Sequence, residues 1–162
     1  KIEKGLIIVE HRLGHVLANA GIDQSNIDHK PSTETVLLLP KNPNKSAKKI
    51  KEYIENQTGK TIGVIITDSI GRAWRLGTIG HAIGASGVKT IVDLRQKGTD
   101  LFGRELQTTV IGLADQIASA AMLIMGESNE GKPIVLVKGI DMPSDSDTVD
   151  DLIRPKEEDL FR

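Results

Sequence analysis

An α+β fold, with mixed sheets and packed helices, is what this sequence predicts, and three observations predict it. Two stretches place apolar residues at helical spacing, whereas several short apolar runs bounded by Gly, Pro or polar residues read as strands. These elements do not alternate strictly, which disfavours a doubly wound parallel sheet. The chain has 162 residues, 38% of them hydrophobic, enough to fill one core and too few for two independent domains.

Residues 6–9 form a first apolar run and residues 15–18 a second, with Gly14 between them as a turn or bulge. The start, residues 1–10, is too short and too interrupted for a signal peptide. It lacks Met and reads as a chain cut just before a strand. A polar loop follows over residues 19–26. Residues 35–39 read as a buried strand stopped by Pro40. Asn44 or Ser46 is placed to cap a helix running to about Gln57, with Ala47, Ile50 and Ile54 on its apolar face and Gly59 as its C-terminal cap.

Residues 61–67 are the clearest buried strand and lead directly into Asp68 and Ser69. The glycine-dense stretch 71–87 reads as irregular. Residues 90–94 predict another strand. From about 105 to 125 the spacing predicts one long helix, with Leu106, Val110, Leu113, Ile117, Ala121 and Ile124 inward and Gly126 at its end. A last strand is expected over 133–138, followed by an acid-rich tail.

Composition narrows the function. There are 21 basic and 22 acidic side chains and only 2% aromatics, which argues against a nucleic-acid surface. Cysteine is absent, so disulfides, thiolate metal sites and thiol nucleophiles are excluded. No apolar run reaches membrane-spanning length, and a cytoplasmic location is the expectation.

Several motifs fail. Gly59-Lys60-Thr61 resembles the end of a phosphate loop, but Ile54 stands where that loop needs glycine. No dinucleotide fingerprint occurs among residues 77–87. His11 and His15 lack the glutamate of a zinc protease helix and read as structural histidines. Residues 145–150 lack the glycine and third ligand of a calcium loop.

What remains is a set of acids at element ends. Asp23 lies in the polar loop, Asp68 at the mouth of a buried strand beside the Ser69 hydroxyl, and Glu127 just past the long helix. A rigid, partly desolvated carboxylate is unfavourable alone, and a hard cation such as Mg²⁺ or Mn²⁺ with oxygen ligands relieves it. Two such ions are a recurring clamp for phosphoryl transfer. Arg72 and Arg75 are candidates to neutralise phosphate or acceptor charge. On spacing alone, a turn aspartate and surface arginines account for the same residues.

Four longer phrases carry a resemblance. Leu17-Ala-Asn-Ala-Gly-Ile-Asp-Gln-Ser-Asn26, Ile66-Thr-Asp-Ser-Ile-Gly-Arg-Ala-Trp-Arg75, Phe102-Gly-Arg-Glu-Leu-Gln107 and the tail from Asp151 to Arg162 closely resemble the coenzyme F420-0:L-glutamate ligase (gamma-glutamyl ligase) family. The resemblance runs in order along essentially the whole chain. It implies intertwined lobes of that family's type. Residues 1–162 would then be one ligase domain, the larger C-terminal part of a chain whose family carries a further N-terminal portion.

By resemblance the reaction is GTP-dependent amide ligation. An acyl phosphate forms on F420-0, L-glutamate displaces the phosphate, and a second round acts on F420-1. The resemblance makes Asp23, Asp68, Ser69 and Glu127 metal ligands, with Ser69 where threonine is more usual. It makes Asn26 and the segment Met125, Gly126, Glu127, Ser128, Asn129, Glu130, Gly131 and Lys132 nucleotide contacts. It gives Arg72 and Arg75 no role, and it has proline where Ala73 stands. It further implies a divalent metal (Mg²⁺ or Mn²⁺, two ions), a monovalent cation such as K⁺, and a homodimer, with no nucleic acid or membrane partner. Two other readings stay open: an inactive nucleotide- and metal-binding fragment, and a related ligase with another carboxylate acceptor.

Overall fold

The computed structural model describes residues 2–3, 5–28 and 33–159, and the side chains from Gly5 onward within them. Lys1 and Lys4, and residues 160–162 that close the tail motif, lie outside the described residues. The class is α+β: small antiparallel sheets with two helices packed on the longest hairpin.

The first sheet orders β1 (Ile2–Glu3), β2 (Leu6–Glu10) and β3 (Val16–Ala18). Gly14, at φ +84°, makes the turn between β2 and β3 that its position predicts. A 3₁₀ turn over Asn19–Gly21 follows. The 35–39 run does not form a buried strand. Its one ladder contact is a bridge from Leu37 to Asp23, and Leu37 and Leu38 are exposed.

Helix α1 spans Pro43–Thr58. Its cap is Asn42, not Asn44 or Ser46: the Asn42 side chain accepts the Lys45 N–H at 2.8 Å, and Pro43 fills the first turn, where no amide is needed. Gly59 ends it in the left-handed conformation at φ +66°, so the Gly-Lys-Thr sequence is a helix cap. Ala47 is its fully buried contact, while Ile50 is exposed.

Strands β4 (Val64–Arg72) and β5 (Arg75–Ser86) form the main hairpin, so the glycine-rich stretch is ordered ladder and not irregular loop. The glycines are there for the helices. A Cβ at Gly84 would meet the Pro43 backbone at 2.5 Å, and one at Gly80 would collide with Ala118 of the second helix.

Strands β6 (Val92–Asp93) and β7 (Val110–Ile111) pair next. Helix α2 therefore covers only Leu113–Met125, not 105–125. Leu106 and Val110 continue the helical spacing by coincidence: Val110 belongs to the β6–β7 ladder, and the Leu106 backbone bonds to Gln96 and Gly98. The inner face of α2 is alanine, with Ala114, Ala118 and Ala121 buried and Ile124 exposed. Ala82, Ala85, Ala114, Ala118 and Val149 form the core cluster, and their small size lets α2 lie close on β5.

Residues 133–138 take no ladder partner among the described residues, so the expected last strand is not formed. The acid-rich tail folds as 3₁₀ turns over Val149–Leu152 and Lys156–Glu158. No helix among the described residues is long and apolar enough to cross a membrane.

Candidate functional site

Asp68 sits midway along β4, opposite His81 of β5. Its Oδ1 accepts the Ser69 N–H at 2.8 Å. Burial raises its pKa, and the negative charge of Asp23 pushes the same way, against the Ser69 hydrogen bond and His81. The charge of Asp23 thus reaches Asp68 from a distant part of the chain. The Asp23–Leu37 bridge fixes that loop, and the Asp23 carboxylate accepts Ser25 N–H and Ser25 Oγ–H, both at 2.8 Å. Those bonds lower the Asp23 pKa and hold it as an anion.

The same loop reaches the segment after α2. Asn26, at φ +51°, donates from Nδ2 to the Ser128 carbonyl at 2.9 Å. Gly126 ends α2 with φ +72°. Ser128 N–H is taken by Glu130 Oε2 at 2.9 Å, so Glu130 folds back on its own loop and its pKa falls. Asn129, Gly131 and Lys132 are exposed, and Met125 is half-buried as the last residue of α2.

Glu127 is held elsewhere. Its Oε2 accepts a close hydrogen bond from Thr78 Oγ1, and Thr78 pairs with Gly71, three residues beyond Asp68 on β4. That is about 10 Å along a strand. Among the described residues, no three acidic or histidine side chains stand close enough to hold one metal ion. The donor chemistry nonetheless suits a hard cation. Asp23, Asp68 and Ser69 offer only oxygen, and the Asp68 carboxyl is desolvated beside a second anion, which is the imbalance a divalent ion neutralises.

Arg72 and Arg75 face each other across the turn Ala73-Trp74 at the hairpin tip, four residues from Asp68. Trp74 takes φ +64° at the second turn position, where glycine or asparagine is usual, and Ala73 fills the position proline favours. Arg72 donates to the Leu76 carbonyl at 3.4 Å, and both arginines are exposed.

A constellation that sequence reasoning missed lies behind Asp68. His15, 4% exposed, places Nδ1 at 3.0 Å from His81 Nε2, and His81 Nδ1 lies 3.4 Å from Asp115 Oδ1. Burial, with the charge of His81 adding to it, lowers the His15 pKa to about 4. His15 is structural, as expected. His81 and Asp115 carried no signal, because the first fell in the glycine-dense stretch and the second in the middle of an overlong helix.

Comparison with known proteins adds the family. The model of the F420-0:Gamma-glutamyl ligase family matches residues 1–139. The chain is 49% identical over 162 residues to the coenzyme F420:L-glutamate ligase of Methanocaldococcus jannaschii, covering all of this chain and 63% of that protein. It is 47% identical, with the same coverage, to the protein of that name from Methanococcus maripaludis. With the one from Archaeoglobus fulgidus it shares 43% identity over 156 residues, 96% of this chain and 60% of that protein. The chain thus spans about three-fifths of the length of these relatives.

Proposed function

The chain belongs to the F420-0:gamma-glutamyl ligase family, and from that premise we propose that it adds L-glutamate to coenzyme F420-0 and F420-1, using GTP and Mg²⁺ or Mn²⁺. The observation that carries this reading is the family match over residues 1–139. The bond from Asn26 to Ser128, and the charge of Asp23 acting on Asp68, support it.

The chemistry has a clear physical need. A carboxylate is a poor electrophile, so an oxygen of the acceptor carboxylate first attacks the γ-phosphorus of GTP and expels GDP. The amine of L-glutamate then attacks the acyl carbon, phosphate leaves with the bond pair, and the amine proton is lost to solvent. A bound divalent cation supplies screening between the anionic acceptor and the triphosphate. Asp23 and Asp68 would hold that cation, with the Ser69 hydroxyl and Glu127 as further oxygen donors. Asn26 and residues 125–132 bind the nucleotide. Arg72 and Arg75 meet phosphate or acceptor charge.

The enzyme acts as a homodimer in this reading. The near-complete exposure of Leu76 (99%) and Trp74 (90%) at the hairpin tip supports a covering partner.

The test is direct. Purified protein with F420-0, GTP, Mn²⁺ and L-glutamate yields, by mass spectrometry, a product heavier by one glutamyl unit, together with GDP. No such product, with a known ligase active in parallel, overturns the proposal.

A further inference from the structure

We propose that Asp115 is a positioning residue for Asp68: it clamps the β-bulge that sets the register of Asp68 and, together with His15 at the other ring nitrogen, holds His81, the cross-strand neighbour of Asp68. The proposal rests on reading Asp68 as a metal ligand.

The bulge is explicit in the ladder. Ile66 pairs with Gly84, but Thr67 pairs with Ala82, leaving Ile83 as the extra residue on β5. An uninterrupted ladder would set Asp68 opposite Ala82. With the bulge, Asp68 stands opposite His81, one residue or about 3.3 Å further along β5. The Ala82 N–H, at the bulge, donates to Asp115 Oδ1 at 2.9 Å. Asp115 is carried by the first turn of α2, and α2 is fastened to β5 by Ser119 Oγ donating to the Gly80 carbonyl at 2.8 Å. A rigid helix thus pins the irregularity that aims Asp68.

The same oxygen fixes His81. An ionised carboxylate only accepts, so His81 Nδ1 carries the proton toward Asp115, 3.4 Å away. With Nδ1 carrying the proton, Nε2 is the acceptor for His15 Nδ1–H, 3.0 Å away. Cross-strand partners project on one face of a ladder, so Asp68 and His81 lie side by side. The imidazole beside Asp68 therefore has no free lone pair to offer a cation.

The experiment titrates the purified protein with Mn²⁺ alone, following free Mn²⁺ by electron paramagnetic resonance, and reads the histidine tautomers by ¹⁵N NMR. Asp68→Asn is expected to abolish the site. Asp115→Ala is expected to weaken Mn²⁺ binding about tenfold, the low end for an outer partner of a metal ligand. Asp115→Asn, whose amide oxygen still accepts from Ala82 N–H, is expected to recover most of that loss, and a loss of Mn²⁺ affinity in Asp115→Ala that only tracks a fall in its melting temperature overturns the positioning role. Wild-type affinity in Asp115→Ala, with Asp68→Asn impaired, overturns the positioning role and leaves the metal reading standing. Unchanged binding in Asp68→Asn overturns both. If Asp115→Ala does not fold, the tautomer in the unsubstituted protein decides: Nδ1–H on His81 supports the proposal, and Nε2–H overturns it.

Discussion

The side-chain amide of Asn26 donates a 2.9 Å hydrogen bond to the backbone carbonyl of Ser128, across 102 positions of sequence. That bond joins the two segments proposed to hold the nucleotide. Removing it frees the 126–131 loop without touching the acids on β4. Asn26→Ala is expected to raise the KM for GTP roughly five- to tenfold, the equivalent of about 1–1.5 kcal/mol for one hydrogen bond, with little change in kcat. Steady-state kinetics at varied GTP separates the two, and a fall in kcat alone contradicts the assignment.

Asp68 predicts an exchange of stability for function. Its pKa is raised by burial, so the folded state holds its proton to higher pH than the unfolded chain does. For a raised acid, stability falls as pH rises through the folded pKa, because ionising the group is then harder in the native state. Without metal, Asp68→Asn is therefore expected to raise the melting temperature at pH 7 by a few degrees, about 2–4 °C per kcal/mol at this chain length, while abolishing ligation. Calorimetry in chelator checks the first part. A lower melting temperature in the variant would show that the carboxylate is not strained.

His15 gives the opposite slope. Its pKa is lowered from 6.5 to about 4 by burial, then by the charges of His81 and His11, against Asp115 and Asp150. The unfolded chain therefore binds a proton that the folded chain refuses between those values. Stability is complete above pH 6.5 and falls as pH drops toward 4, by at most about 3–4 kcal/mol at ~1.4 kcal/mol per unit. In His15→Gln, whose amide can still donate to His81, that slope is expected to flatten. Denaturant titrations at pH 7, 6 and 5 measure it, and equal slopes in the two proteins would refute the role of His15.

Arg72 and Arg75 carry a narrower expectation. They flank the turn at the hairpin tip and touch no acid of the site. If they meet phosphate or acceptor charge, replacing each by Ala raises an apparent KM and leaves the melting temperature within about 1–2 °C, as for a surface change at this chain length. Unaltered kinetics in both variants assign them instead to the surface.

Local signals were legible in the sequence and pairing was not. Helix α1 follows from the spacing of Ala47 and Ile54 and from Gly59, all within a few turns of each other. Its cap lay two residues before the expected position because Asn42-Pro43 starts the helix sooner. The start of α2 was overrun because Leu106 and Val110 match helical spacing, and only the distant partners Val92 and Asp93 assign that stretch to a strand. Gly80 and Gly84 of β5 read as part of an irregular stretch in sequence and as close helix contact in space, since nothing local announces α1 and α2 lying against them. In the site, Asp23 and Asp68 were chosen as acids at element ends; Asp68 lies instead midway along β4, because the strand runs on to Arg72, and the charge of Asp23 reaches it. Glu127 was chosen on the same ground, yet the hydroxyl of Thr78, on a strand absent from the sequence reading, holds it.

Gly84 tests that close contact. A Cβ there would stand 2.5 Å from the Pro43 carbonyl carbon and 2.6 Å from its Cβ, both far inside van der Waals contact. Neither atom can swing aside, because Pro43 opens α1 immediately after the Asn42 cap. The next residue, Asn44, is tied to β5 through the Ala85 N–H at 3.0 Å. Relief requires the first turn of α1 to move off β5, breaking that bond and uncovering Ala47, which is fully buried. Gly84→Ala is therefore expected to cost about 2–3 kcal/mol, the range for overpacking a tight core, despite removing backbone entropy from the unfolded chain. The gain from that entropy is at most about 1 kcal/mol and does not reverse the sign. Urea unfolding should show a lower midpoint with an unchanged slope, and a stabilised variant would mean that α1 does not lie against β5.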